Sequence, residues 1–434
     1  MQISLRGIAN KAKRWKRYRF LNLYTMLNEY HLLDSWRDIK KNVAYGVDKV
    51  SAREFEQDLQ GNVTSLVERL KRKSCRAKLV RRQYIPKGKG KLRPLGIPAT
   101  IDKLLQLAVA RIVTAIFEQD FLATSFGYRP GRGAKNAIEE LQFQLQYGWY
   151  NYVVEADIKG LFDHINHDWL LRMLSQRISD SPFLRLIRKW LTAGILDTDG
   201  KVIHPATGTP QGGIVSPILA NVYLHYVLDL WVEKVIKPNC KGSVYLCRYA
   251  DDFVVLFQYK AEAEWFYQEP PQRLGKFDLE LAAEKTQMLS FSKFRMTENS
   301  RFDFLGFEFR WGYNRQRKPQ VKRRTSRQKL YKSLVELTKW CRTHRDDPIR
   351  EIFRRMNARL RGYYNYYGVI GNYASLNEFF YHVKRILLKW LNRRSERRSY
   401  NWNGFNELMQ YFGLLRPRIT QQRNYQLSFQ QALC

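Results

Sequence analysis

The apolar positions of this chain change period several times, and each change marks a different kind of element. Leu21, Leu23, Tyr24, Met26 and Leu27, then Leu32, Leu33 and Trp36, recur at helical spacing and predict an amphipathic helix within residues 1–60. Residues 79–85, Leu-Val-Arg-Arg-Gln-Tyr-Ile, alternate as a strand does. Pro86-Lys-Gly-Lys-Gly-Lys91 reads as a turn and Leu92–Pro98 runs back, which predicts a basic β-hairpin. Leu104, Leu105, Leu107, Ala108, Ile112, Ile116 and Phe117 restore the helical period. Short apolar runs at 152–158, 243–248, 253–257, 287–291 and 302–309 predict strands with helices between them, an α+β layer. Beyond 311 the pattern predicts a basic linker over 315–327, helices at 326–343, 348–368 and 374–394, and a fraying Gln-rich tail after Pro417.

Charge sharpens this picture. The 434 residues hold 75 Lys and Arg against 40 Asp and Glu, a formal net charge of +35. Such an excess calls for a polyanionic partner, and nucleic acid is the commonest. Residues 311–434 carry 27 Lys and Arg against 7 Asp and Glu. Between Arg6 and Arg19 stand seven basic residues and no acid, a basic helical arm. Aromatics at 14% suit base stacking beside backbone neutralisation, as RNA binders need. The five cysteines, Cys75, Cys240, Cys247, Cys341 and Cys434, form no CxxC pair, which excludes a Cys-rich zinc site and fits a reducing bacterial cytoplasm. No run approaches the length and apolarity of a membrane span, and no secretory leader is evident.

In so basic a chain, well-placed acids carry information. Asp157 closes the apolar run Tyr152-Val-Val-Glu-Ala-Asp157. Asp251 and Asp252 sit between the apolar runs Val244–Cys247 and Phe253–Phe257, as in a hairpin whose tight turn presents two carboxylates. Asp is also an ordinary turn residue, but unpaired carboxylates between apolar strands are costly. Aspartates from neighbouring strands meet the need of phosphoryl transfer for two Mg²⁺ ions about 3.5–4 Å apart, held by hard oxygen ligands. The carbonyl of Ile158 can add another oxygen.

Together these segments resemble the group II intron-encoded reverse transcriptase and maturase family of bacteria. Tyr249-Ala-Asp-Asp252 is similar to the YxDD signature, Ala156–Asp163 to motif A, and Thr209-Pro-Gln-Gly-Gly213 continuing to Asn221 to motif B in its intron form. Gly46-Val-Asp48 resembles the N-terminal RT0 region, Ser125–Arg132 a fingers insertion, Leu279–Thr286 motif D, and Phe304-Leu-Gly306 the primer grip. Arg361-Gly-Tyr-Tyr-Asn-Tyr-Tyr367, with Lys389–Arg394, resembles the maturase (X, or thumb) domain. The likeness runs over roughly residues 20–420.

The resemblance implies a right-hand polymerase of α+β class: an RT0-like extension over 1–60, fingers over 61–150, a palm with an antiparallel sheet over 151–312, and an all-α thumb/maturase domain over 313–434. It implies an RNA-directed DNA polymerase that copies intron RNA during retrohoming and assists splicing. Asp157 and Asp251 would be the main ligands of two Mg²⁺ ions, with Asp252 and the Ile158 carbonyl in support. Lys87 and Arg93 would bind the triphosphate, for which a guanidinium fork is suited. Phe162 would exclude a ribose 2′-OH and so select dNTPs. Gln211, Gly212 and Ala250 would line the nucleotide pocket, and Lys285 would neutralise or protonate the leaving pyrophosphate. Phe304, Leu305 and Gly306 would grip the primer on its RNA template. Arg354, Arg355, Arg359, Arg361, Arg393 and Arg394 would bind intron RNA, and target DNA is a further partner in such a scheme.

Three departures bear on this. No Cys/His cluster of HNH endonuclease type is present, so second-strand cleavage is not expected. Pro270-Pro271 falls in a segment usually helical, and Lys49 stands where the family often has Gly. Two other readings fit much of the sequence: an intron-independent reverse transcriptase of phage defence or a CRISPR locus, and an RNA-binding splicing cofactor whose polymerase is dispensable.

Overall fold

The computed structural model describes residues 4–88, 91–296, 300–394 and 399–421, with the side chains of residues 87, 88 and 91 outside that description. The chain forms two compact units, one from residues up to 144 and from 148 to 288, the other from 145–147 and the chain beyond 288. The division at 288 falls within the stretch that the sequence reading assigned to one palm segment, 151–312.

In the first unit, a helix at Thr100–Phe117 is apolar nearly all round, so it is buried on most of its surface. The helices Leu5–Arg14 and Glu29–Trp36 pack on it. Leu5–Arg14 is the expected basic arm. Ser4 caps its start, and Lys11, Lys13 and Arg14 sit in its last turn, where cations meet the negative end of the helix dipole. Its Ile8 and Ala12 are buried, and the Arg177 guanidinium ties the Ala12 carbonyl to Asp120.

Strands β1 (Val80–Gly88) and β2 (Lys91–Ile97) form the basic hairpin, paired from Arg81↔Ile97 to Ile85↔Arg93 and on to its tip. A second sheet is built from β3 (Tyr152–Asp157), and later β6 (Val244–Tyr249), β7 (Asp252–Phe257) and β8 (Gln287–Ser290), in the order β6-β7-β3-β8. Between them β4 (Ile195–Leu196) joins β1 in parallel and pairs with β5 (Val202–Ile203). Val153, Val154 and the whole run Phe253–Phe257 are buried, which is why these strands read as nearly continuous apolar runs.

The helix Lys260–Gly275 runs through both Pro270 and Pro271, giving up two amide donors without ending there. Lys49 adopts φ +58°, the left-handed region that favours glycine, which explains why a glycine suits that position.

The second unit holds a three-stranded antiparallel sheet, β9 (Arg301–Phe304), β10 (Phe307–Tyr313) and β11 (Pro319–Thr325), in the order β11-β10-β9. Two sequence expectations are corrected here. The run 302–309 is two strands around a tight turn at Leu305-Gly306, not one. Residues 319–325 are a strand rather than a linker, so the region from 313 onward is not all helical. Val321, Arg323 and Thr325 are buried and alternate with exposed Gln320 and Lys322, a strand signal hidden by the density of charge.

Helices Arg327–Thr343, Ile349–Tyr367 and Tyr373–Leu391 follow close to their predicted bounds, and a fourth, unpredicted, spans Trp402–Tyr411. Phe353, Met356, Leu360 and Tyr367 of the predicted stripe are buried, with Tyr363 stacked 3.7 Å from Phe379. The whole is an α+β fold with antiparallel sheets and a mainly helical C-terminal region. Among the described residues no helix is long and apolar enough to cross a membrane.

Candidate functional site

The sheet register builds the site. Antiparallel pairing of β3 with β7 sets Asp157 opposite Asp252, and pairing of β6 with β7 sets Tyr249 opposite Asp252. Ala250 and Asp251 are therefore the two-residue turn. Ala250 carries the positive φ of +56° that such a turn demands, a conformation costly for a residue with a Cβ. The amide of Ile158 donates to the Asp251 carbonyl at 3.3 Å, locking the end of β3 to the turn.

Three carboxylates thus meet at one end of a buried sheet. Burial, then the Asp157 charge, raises the pKa of Asp251. Burial, then Asp157 and Asp251, pushes Asp252 up to about 7. Asp157 is 6% exposed, and its Oδ1 is buried with no hydrogen-bond partner. Lys285 reaches in and ion-pairs with Asp157 Oδ2. Burial works against the ammonium, but that hydrogen bond and the aspartates outweigh it and raise its pKa. A short turn places Lys285: Ala282 donates its amide to the Asp157 carbonyl at 2.8 Å, and Lys285 donates to the Ala282 carbonyl. Among the described residues, no three His, Cys, Asp or Glu side chains form a preformed metal cage. The cluster is instead a concentration of negative charge relieved by one lysine.

Around it lie most of the other residues singled out in the sequence. Phe162, on the short helix Leu161–His164, is partly buried and meets the Tyr128 ring edge-on at 6.3 Å. Arg93 is exposed on β2, within electrostatic reach of Asp251. Gln211 donates to Asp163 at 3.2 Å and accepts from the Gly96 amide through its carbonyl at 2.6 Å. Gly212 sits at φ +113°, and a Cβ there would meet the Gly96 carbonyl oxygen at 2.7 Å, so only glycine fits between this loop and β2. The backbone of Lys87 lies in β1, but its side chain is outside the described residues. Phe304, Leu305 and Gly306 belong to the second unit, at the β9–β10 turn, where Tyr366 donates to the Leu305 carbonyl at 2.8 Å.

Except for half-buried Arg394, the second-unit arginines singled out in the sequence are exposed, yet several already have partners. Arg354 and Arg355 both bind Glu351, and Arg355 also reaches Asp347. Arg359 lies 4.7 Å over Trp340, and Arg393 lies 5.3 Å over Trp390. Arg361 is exposed and Arg394 half-buried.

The sequence reading missed what holds the hairpin in place. Arg248, fully buried in β6, forms a bidentate pair with fully buried Asp229 at 2.6 and 2.7 Å. The same guanidinium donates to the Ala250 carbonyl, to Asn221 and to Ser125. Asn221 in turn donates to the Gly127 carbonyl at 2.7 Å. One arginine therefore ties together the aspartate turn, the helix after the Thr209–Gly213 loop, and the 125–128 segment. Asp229 closes a single π-helical turn, His225–Asp229, a helix irregularity often found at functional sites. Tyr128 was missed as well; burial and the Asp251 charge raise its phenol. A lone arginine in an apolar strand and a lone aspartate in an apolar helix were the available signal.

A hairpin that offers adjacent aspartates beside a strand-end aspartate, with a basic hairpin and a glycine-tight loop around them, defines a nucleotide-polymerising enzyme. Comparison with known proteins makes the class particular. Residues 85–309 match the reverse transcriptase (RNA-dependent DNA polymerase) family, and residues 315–408 match the group II intron, maturase-specific domain. The group II intron-encoded protein LtrA of Lactococcus lactis subsp. cremoris is 30% identical over 409 residues, covering 75% of this chain and 67% of that protein. Protein YkfC of Escherichia coli K12 is 34% identical over 273 residues, covering 56% of this chain and 71% of its own. A putative COX1/OXI3 intron 1 protein of Saccharomyces cerevisiae is 37% identical over 167 residues, 38% of this chain and 20% of its own. This chain belongs to the group II intron-encoded reverse transcriptase/maturase family, and its enzymatic class is RNA-directed DNA polymerase. Both constituent families bind RNA, and reverse transcriptases work with divalent metal ions.

Proposed function

We propose that this protein copies the RNA of its own group II intron into DNA and helps that RNA to splice, with catalysis at the aspartate cluster and RNA held by the basic second unit. The observation that carries the catalytic reading is the meeting of Asp157, Asp251 and Asp252 around an unpartnered Asp157 oxygen, with Lys285 as the cation paired to Asp157. An orphaned buried carboxylate oxygen beside mutually repelling carboxyls fits a divalent cation. Asp157, Asp251 and the Ile158 carbonyl would hold Mg²⁺, with Asp252 in support. When bound, the ions supply charge neutralisation at the attacking and leaving oxygens.

The chain's own residues position and discriminate. Arg93, with Lys87, orients the triphosphate. Gln211, Gly212 and Ala250 shape the floor on which the nucleotide lies, and Phe162, braced by Tyr128, stands against a 2′-OH. Lys285 hands a proton to the departing pyrophosphate. Phe304, Leu305 and Gly306 hold the primer end. Arg361, Arg393 and Arg394, with Arg354, Arg355 and Arg359 once their carboxylate and ring contacts are exchanged, meet intron RNA phosphates. Positioning and electrostatics of this kind supply most of the rate enhancement in phosphoryl transfer.

The test is primer extension on poly(rA)/oligo(dT) with Mg²⁺. Asp251→Ala is expected to lower incorporation by roughly a thousandfold or more, several kcal/mol of lost charge stabilisation. Full activity in the variant overturns the assignment.

A further inference from the structure

The second unit contains a groove of about 1050 Å³ between β10–β11 and the helices Arg327–Thr343 and Tyr373–Leu391. That is the upper end of ligand-sized cavities, about 300–1,000 Å³. It is distinct from the arginines of the Ile349–Tyr367 helix. Its walls are chemically divided. One side is a cationic sheet face, and the other carries Leu330, Leu334, Val335 and Ile386 with the Tyr331 ring, which is 72% exposed.

The sheet face is the informative part. Glu308 stands opposite Arg324 and pairs with it at 2.8 Å, a satisfied cross-strand rung. The next rung on that face sets Arg310 directly opposite Lys322, both exposed. Like charges directly opposite across two strands destabilise a sheet. Arg327 and Lys339 add positive charge to the same walls, and Glu378 is the one acid among the described residues that line them. An uncompensated cationic rung beside an apolar and aromatic wall has the chemistry of phosphate next to base.

We propose that this groove binds an unstacked nucleotide of an RNA strand, its phosphate on Arg310 and Lys322 and its base against Tyr331 and the apolar wall. Stacking on an exposed aromatic is how unpaired bases are held. The proposal rests on the reading of the second unit as RNA-binding, and makes it specific: it names single-stranded RNA and a pocket away from the Ile349–Tyr367 arginines.

The experiment uses the full chain and a short thiouridine-substituted single-stranded oligoribonucleotide, with photocrosslinking mapped by mass spectrometry and affinity measured across salt. Wild type should crosslink within Arg327–Thr343, at or beside Tyr331. In R310A/K322A that crosslink should fall about tenfold, and the log–log salt slope should drop by about 0.7, the value for one phosphate contact on a single strand. Tyr331→Ala should weaken binding by about tenfold, within the range for one stacked base. Primer extension should be unchanged in both variants, which also reports that they fold. A crosslink elsewhere in the second unit, unaffected by R310A/K322A, overturns the groove and leaves RNA binding by that unit standing. No crosslink anywhere in residues 289–421 of wild type overturns both. A groove reserved for a protein partner would give the former result.

Discussion

Two carboxylate sites in this molecule are displaced in opposite directions. In the first unit burial and its neighbours push Asp252 up to about 7. In the second, Arg354 and Arg355 hold Glu351 down to about 2. Glu351, half-covered on its helix, has its counter-charges in place on exposed arginines, and pairs so open to solvent contribute little to stability. Asp157 is buried and Asp251 and Asp252 are half-buried, with one lysine among them. Under the proposed function, the aspartates' uncompensated charge is matched by divalent cations, whereas Glu351 is already matched and shapes a surface. The lesson is that in a protein of net charge +35, acids separate into those that organise arginines and those that lack them.

The predictions probe that contrast, from the largest expected effect downward. Asp251→Ala should abolish polymerisation, as above, without lowering the melting temperature, since it removes repulsion with Asp157. A fall in thermal stability would mean that the cluster is structural. Arg248→Ala should be the most damaging to the fold: it leaves Asp229 buried and unpaired, a loss of about 3–5 kcal/mol, read by denaturant unfolding. If the variant unfolds like wild type, the arginine does not hold the turn. Lys285→Ala should slow incorporation by about 10²-fold, the scale of general acid catalysis. An unchanged rate would remove it from the mechanism.

His225, packed against Phe121 and 3.9 Å from Asp229, gives a pH signature. Burial lowers its pKa to about 4 from 6.5. The unfolded chain therefore takes up a proton near pH 6.5 that the folded one refuses until about pH 4, so this group costs stability as pH falls through that window. The cost approaches about 3 kcal/mol. His225→Phe should abolish that slope, so that wild-type and variant stabilities diverge as pH falls from about 6.5 to about 4; parallel pH profiles would refute it. Smallest of all, Glu351→Gln should leave stability nearly unchanged, as for other solvent-screened ion pairs, while freeing Arg354 and Arg355. RNA affinity should rise modestly, and a fall would show that the Glu351 pairing presents the arginines rather than occupying them.

Much of this was legible in the sequence, and the reasons for the rest are physical. The Asp157 and Asp251–Asp252 positions stood out because apolar strands frame them, and the fold does bring them together. The strand at 319–325 was hidden because its buried set includes Arg323, so charge masked the alternation. The Arg248–Asp229 pair lies 19 residues apart along the chain, and only the tertiary fold aligns a strand with a π-helical turn. The partners of Arg354 and Arg355 could have been read from Asp347 and Glu351, at helical spacings from them, but the residue types alone suggested free cations.

The central claim is the proposal that the aspartate cluster binds a divalent cation. Mn²⁺ binding to the full chain, followed by electron paramagnetic resonance with and without Asp251→Asn, tests it directly. Wild type should bind Mn²⁺ and the variant should lose that binding by at least tenfold, with Arg354→Ala unchanged. Equal binding by wild type and Asp251→Asn would contradict the account.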